Sequence, residues 1–213
     1  MLSAPSFRTT IAHMRHALAL LGVALLLTGC FDVDTSIDLS RDGSGTLEIE
    51  YRIDEELYQL GVFDDSDLAL PVPLSRSDFE KVGKNIPGLS LRRYRARENA
   101  GVVTVKARIS FDTTDSLSLW YAGDTTSIAL NEVSGQTEWS QVIVPGSGSD
   151  GAVALALAES LAGYTVKYQL VTPSPIVRSS AGSVGSNGRS ITMEVSLTEI
   201  VTATAAIRWV VAW

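Results

Sequence analysis

The chain has one cysteine, Cys30, and two histidines, His13 and His16, and none of the three lies beyond position 30 of its 213 residues. A lone thiol cannot close an internal disulfide, so in an oxidising compartment it needs another explanation. If the segment before Cys30 is removed, the remaining chain has no imidazole at all. A Ser-His-Asp triad, a Cys-His pair and zinc sites built on histidine or thiolate are then excluded, because each needs a group that is missing. Paired carboxylates or a Ser-Lys dyad would permit catalysis, but neither leaves a spacing signature, and neither an enzyme nor a cofactor is expected. Positive charge is also short: 17 Lys and Arg face 24 Asp and Glu, a formal net charge of -7. Nucleic-acid binding relies on clustered cations, so no nucleic-acid partner is expected. Long apolar runs are missing too. Residues 17–27 fall well short of the roughly 20 apolar residues a spanning helix needs.

What that run does fit is an export signal. Arg8 and Arg15 precede it, and it ends in Leu27-Thr28-Gly29-Cys30, which reads as a lipobox after a charged n-region and a short apolar h-region. The cysteine sulfur supplies the nucleophile that takes diacylglycerol, and the small Thr28 and Gly29 let a peptidase approach the backbone. Residues 1–29 are therefore expected to leave as a lipoprotein signal peptide. The mature chain would begin at Cys30, the expected lipidation site, held by its lipid to the cell membrane or outer membrane on the exported side. Phe31, standing where an aspartate would favour inner-membrane retention, leans toward the outer membrane. Both Arg8 and Arg15 would leave with the signal and no acid would, so the mature chain is more acidic than its precursor.

Residues 30–213 are long enough for one ordinary core, and a single domain is expected. Period-two alternation begins at once: Phe31, Val33, Ile37 and Leu39 fall on one side, and Asp32, Asp34, Ser36 and Asp38 on the other. The acids are read as the outer face of a strand rather than a calcium loop, since a calcium loop must curl its oxygens around the ion. Arg41-Asp42-Gly43-Ser44-Gly45 turns the chain into Leu47, Ile49, Tyr51 and Ile53, completing a hairpin. A short helix from Asp54 to Tyr58 and an acidic, proline-punctuated loop follow. Ser75 with Asp78 resembles a capping box opening a helix with Phe79, Val82 and Ile86 on one side, stopped at Pro87-Gly88. A helix or turn begun by Asp112 comes next in the middle of the chain, after a further hairpin. Strands near 126–130 and 137–144, joined at Ser134-Gly135, lead to a Gly/Ser loop and an apolar helix over 152–162. A strand with Tyr164, Val166, Tyr168 and Leu170 precedes Pro173-Ser174-Pro175. Residues 176–180 and 191–197 are expected to form a hairpin through Asn187-Gly188, and a last strand carries Ile207, Trp209, Val211 and Trp213.

The middle hairpin, over 93–109, bears most on function. With Glu98 to Gly101 as its turn, Arg97 lies opposite Val102, Arg95 opposite Thr104 and Arg93 opposite Lys106. Arg93, Arg95, Arg97, Lys106 and Arg108 then share one face, and Tyr94, Ala96, Val103, Val105, Ala107 and Ile109 the other. Like charges so placed repel unless an anion sits nearby. The partner is either the protein's own surplus of acids or a phospholipid or glycolipid headgroup, for which guanidinium forks suit phosphate.

The order of a lipobox cysteine, an acidic first strand, a Gly-turn hairpin, an apolar strand into a proline and a late Gly/Asn hairpin resembles the LppM-like bacterial lipoprotein domain family. Residues 30–45, 164–175 and 182–191 carry the resemblance, and the C-terminal transmembrane helix common in that family is missing. The resemblance implies an α+β domain with a curved antiparallel sheet of hairpins, a few helices packed on one face, and amphiphile binding. The expected function is a non-enzymatic, membrane-anchored envelope lipoprotein that binds a lipid or other amphiphile between its sheet and helices. The competing expectation is a structural or assembly subunit that meets an envelope protein partner through a strand edge or the acidic loop.

Overall fold

The computed structural model describes residues 32–55, 58, 73–122, 127–145, 158–159 and 161–213. Alternation over β1 (Asp32–Leu39) and β2 (Gly45–Asp54) yields the expected antiparallel hairpin. Its turn is held by Asp42 Oδ1, which accepts from Ser44 N–H at 3.0 Å and from Ser44 Oγ at 2.6 Å. Helix α1 (Arg76–Asn85) opens on the expected reciprocal cap: Ser75 Oγ accepts from Asp78 N–H, and Asp78 Oδ2 accepts from Ser75 N–H at 2.9 Å. Burial opposes the Asp78 charge, but the bonds from Ser75 and the nearby Lys81 outweigh it and hold its carboxyl below the ordinary value.

Next come β3 (Leu89–Asn99), β4 (Val102–Phe111) and α2 (Thr114–Ala122). Thr113, rather than Asp112, caps α2, its Oγ1 accepting from Ser116 N–H at 3.2 Å. Strands β5 (Ile128–Val133) and β6 (Gln136–Val144) pair through Ser134-Gly135, and β7 (Thr165–Val171) follows. The end of the chain holds β8 (Arg178–Ser179), β9 (Ser183–Val184), β10 (Ser190–Ser196), α3 (Leu197–Thr202) and β11 (Ile207–Ala212). The short helix after Asp54 and the helix over 152–162 lie largely outside the described residues.

The architecture is α+β with antiparallel ladders, divided into two sheets rather than one. The larger has the order β3-β4-β2-β1-β7-β10-β9 and the smaller β5-β6-β11-β8. One pair, β1 with β7, is parallel. The expected late hairpin is split: residues 178–179 join β11 in the small sheet, and only 183–184 pair with β10. Leu197, expected on the strand, instead opens α3, because Ser196 accepts from Glu199 N–H and starts a helix there.

A contiguous apolar cluster draws on both sheets and on α1 and α2, so the helices and the small sheet cover one face of the large sheet. Trp139, Trp209, Phe79 and Phe111 are 0–1% exposed within it. Phe79 stacks on Trp120 at 5.9 Å between ring centroids, and Ser118 Oγ accepts from Ser127 and Ile128 N–H, tying α2 to the start of β5. Among the described residues, no helix is long and apolar enough to cross a membrane.

The β3–β4 connection is a two-residue turn with positive φ at both Ala100 (51°) and Gly101 (77°). That is the type I′ geometry matching strand twist, for which Asn-Gly is the favoured pair, whereas alanine is strained there. Ala100→Asn is expected to stabilise the domain by about 1 kcal/mol. A denaturant midpoint that does not rise would show that the turn carries no such strain.

Candidate anion-binding face

The face of the large sheet turned away from the core is polar, and its residues follow from strand parity. Core positions such as Leu47, Ile49 and Tyr51 send Glu48, Glu50 and Arg52 outward; Val103, Val105 and Ala107 do the same for Thr104, Lys106 and Arg108. On β3, Arg93 stands opposite Arg108, Arg95 opposite Lys106 and Arg97 opposite Thr104. The register expected from sequence is thus two residues out, because the turn is Ala100-Gly101 and not the four residues from Glu98. A slip of two preserves the face, so all five cations emerge together as anticipated.

Their partners divide them. Arg108 is bonded to Glu48, and Lys106 Nζ lies 2.6 Å from Glu50. Arg52 reaches Glu50 at 3.4 Å and Asp32 and Asp34 at 3.6 Å each. Arg93, Arg95 and Arg97 are exposed, and among the described residues no carboxylate lies within salt-bridge distance of them. For Lys106 and Arg108 the protein's own acids are the partner; for Arg93, Arg95 and Arg97 no carboxylate among the described residues is. The three line a concavity of about 570 Å³ together with Asp34, Glu50 and Gln169.

Two contributions have no local sequence signal. A bulge between Leu91 and Arg93 makes Arg92 the extra residue, and its Nε donates to Ser110 Oγ at 2.7 Å, which brings a fourth arginine of β3 to the outer face. Simple alternation places Arg92 on the opposite side. Lys167 and Gln169 arrive beside Asp34 and Ser36 through the parallel β1–β7 pairing, and Ser36 Oγ donates to Gln169 Oε1 at 3.0 Å. The strand that carries the arginines is fixed from behind. Tyr94 Oη donates to Leu74 O at 2.7 Å, its ring lies 5.8 Å from Phe79, and Arg76 sits over it at 5.7 Å. Burial, followed by Tyr58, pushes the Tyr94 hydroxyl up to about 12, so it remains a proton donor at neutral pH.

Among the described residues, no group of three or more His, Cys, Asp or Glu side chains is arranged to hold a metal. Cys30 lies outside the described residues. No family model matches the chain, and no curated protein matches it. It is similar to a solved structure, the NMR structure of the Mycobacterium tuberculosis LppM folded domain, at 13% identity and a TM-score of 0.48, over 85% of this chain and 88% of that one. At that identity and score the likeness is to a distant fold, and no residue role in this chain rests on it.

Proposed function

We propose that the chain is a lipid-anchored, non-enzymatic envelope protein whose exported domain holds an anionic amphiphile by its headgroup on the outer face of the large sheet. The observation that carries this reading is the row of Arg93, Arg95 and Arg97, without carboxylate partners among the described residues, along a concavity in an otherwise acidic protein. A cationic row that faces like charges on β4 raises the energy of the free protein and lowers it when an anion arrives. The position moves from the one expected. Trp139, Trp209 and Phe111 are buried among the described residues between the large sheet and the elements covering it, which favours the opposite, polar face for the headgroup.

The proposed anchor agrees with this placement. β1 starts at Asp32, two residues after Cys30, a tether of at most about 7 Å. Asp32 pairs with Arg52, Arg52 with Thr104 and Thr104 with Arg97, so the Arg97 end of the row lies at the tethered end of the sheet. Lipid on Cys30 would hold that end at the bilayer surface.

Co-sedimentation of the unlipidated domain with anionic and neutral vesicles tests the reading. Each arginine is expected to contribute about 1 kcal/mol at an anionic surface, so Arg93→Gln, Arg95→Gln and Arg97→Gln together should weaken binding roughly 100-fold at low salt. High salt should shrink the difference. The melting temperature should not fall, since the substitutions remove repulsion from Arg108 and Lys106. Equal, weak binding to both vesicle types, unchanged by the substitutions, would reject the reading. A second reading, an assembly subunit, is favoured by the eleven residues of β3, which has one strand neighbour among the described residues. A partner cross-linked at β3 would support it.

A further inference from the structure

We propose that the arginine face takes a lipid headgroup carrying two phosphate groups; this rests on the headgroup reading above and names its ligand class. The bulge is the reason. It sets Arg92 and Arg93 side by side at one end of the row, while Arg95 and Arg97 occupy the other in regular alternation. The four guanidiniums therefore form two pairs, with midpoints roughly 10 Å apart along the strand at about 3.3 Å per residue. Two neighbouring guanidiniums can converge on one phosphate through their planar forks, but a single phosphate is too small to engage both pairs.

The charges around the row favour the same ligand. Glu48 and Glu50, the outward acids of β2 across β4 from β3, are held by Arg108 and Lys106, and Asp32 and Asp34 are drawn toward Arg52. An anion on β3 thus meets neutralised carboxylates behind the arginines. Arg92 uses Nε on Ser110, which fixes its side chain over the outer face and leaves the terminal nitrogens of its fork for a ligand. The concavity of about 570 Å³, lined by Arg93, Arg95 and Arg97 and not by Arg92, which is held at Ser110, falls within the range of roughly 300–1,000 Å³ typical of small-molecule sites, and is much larger than one phosphate requires.

The test compares neutral phosphatidylcholine vesicles doped with cardiolipin, which has two phosphates per lipid, against vesicles with twice the mole fraction of phosphatidylglycerol, so that total charge is equal. Binding to cardiolipin is expected to be at least about tenfold tighter at matched charge. Arg92→Gln with Arg93→Gln, or Arg95→Gln with Arg97→Gln, should each abolish that preference while leaving some binding to both vesicles. Arg93→Lys with Arg95→Lys keeps the charge and the fold but removes two forks, and should also reduce the preference. Equal, arginine-dependent binding to both vesicle types would overturn the two-phosphate assignment and leave the headgroup reading standing. Absence of arginine-dependent binding to either would overturn both. Fructose 1,6-bisphosphate supplies the soluble arm: if it binds as tightly as cardiolipin vesicles, the occupant is a free bisphosphate and the lipid assignment fails.

Discussion

Gly45→Ala is expected to destabilise the domain severely, lowering its urea midpoint far more than Gly101→Ala. Gly45 opens β2 between Leu39 of β1 and Phe111 of β4, and an added Cβ would fall 2.2 Å from Asp38 O and 2.6 Å from Phe111 Cζ. Neither neighbour can yield easily. Asp38 O is backbone within the hairpin, and Phe111 is 1% exposed in the core. Relief requires the β1–β2 pairing to open or the Phe111 ring to leave its site. Either should cost about 4 kcal/mol, a large share of the roughly 5–15 kcal/mol that stabilises a domain. Gly101→Ala provides the contrast, because nothing lies within 4 Å of its Cβ and only the positive φ of 77° resists a side chain. That change should cost about 1 kcal/mol. Comparable urea midpoints for the two variants would refute the steric account of Gly45.

The other large effect concerns anchoring. Cys30→Ala should remove all incorporation of labelled palmitate and shift the protein from the membrane fraction to an unprocessed precursor or a soluble form. In the lipobox reading the sulfur is the attachment atom, and the sequence has no second thiol to replace it. Each buried methylene of an acyl chain contributes about 0.8 kcal/mol, so losing two or more chains removes far more membrane affinity than the arginine row can supply. Label still entering the variant would overturn the lipobox reading.

The hairpins were legible because period-two alternation survives wherever one face is buried, as in Leu47, Ile49, Tyr51 and Ile53. The α1 cap was equally plain, since Ser75 and Asp78 stand at the spacing that reciprocal bonding needs. The shared face of Arg93, Arg95, Arg97, Lys106 and Arg108 could be read even with the register two residues out, because parity alone sets the face. What could not be read depends on contacts distant in sequence or on backbone irregularity. Arg92 reaches the outer face through a bulge that alternation does not announce. Lys167 and Gln169 join it through pairing with β1 across more than 130 residues. Residues 178–179 and 183–184 carry too short a pattern to show that they serve different sheets.

The parallel pairing of β1 and β7 also orders events in time. β2 reaches β1 across a single turn and β3 reaches β4 across another, the two hairpins joining through β2–β4 contacts such as Glu48–Arg108, 60 residues apart, whereas β1–β7 contacts such as Ser36–Gln169 span 133. Closing so long a loop is entropically costly before any contact rewards it, and non-local pairings of this kind slow folding. The four strands β3-β4-β2-β1 thus form the early unit, and β1 remains an open edge until β7 and β10 arrive. In a chain exported N-terminus first, that edge would emerge well before its partner and lie next to the proposed acylation site. The interval exposes a strand able to pair with the wrong neighbour, so the rate at which residues 165–196 follow sets how long the nascent domain is open to misassembly.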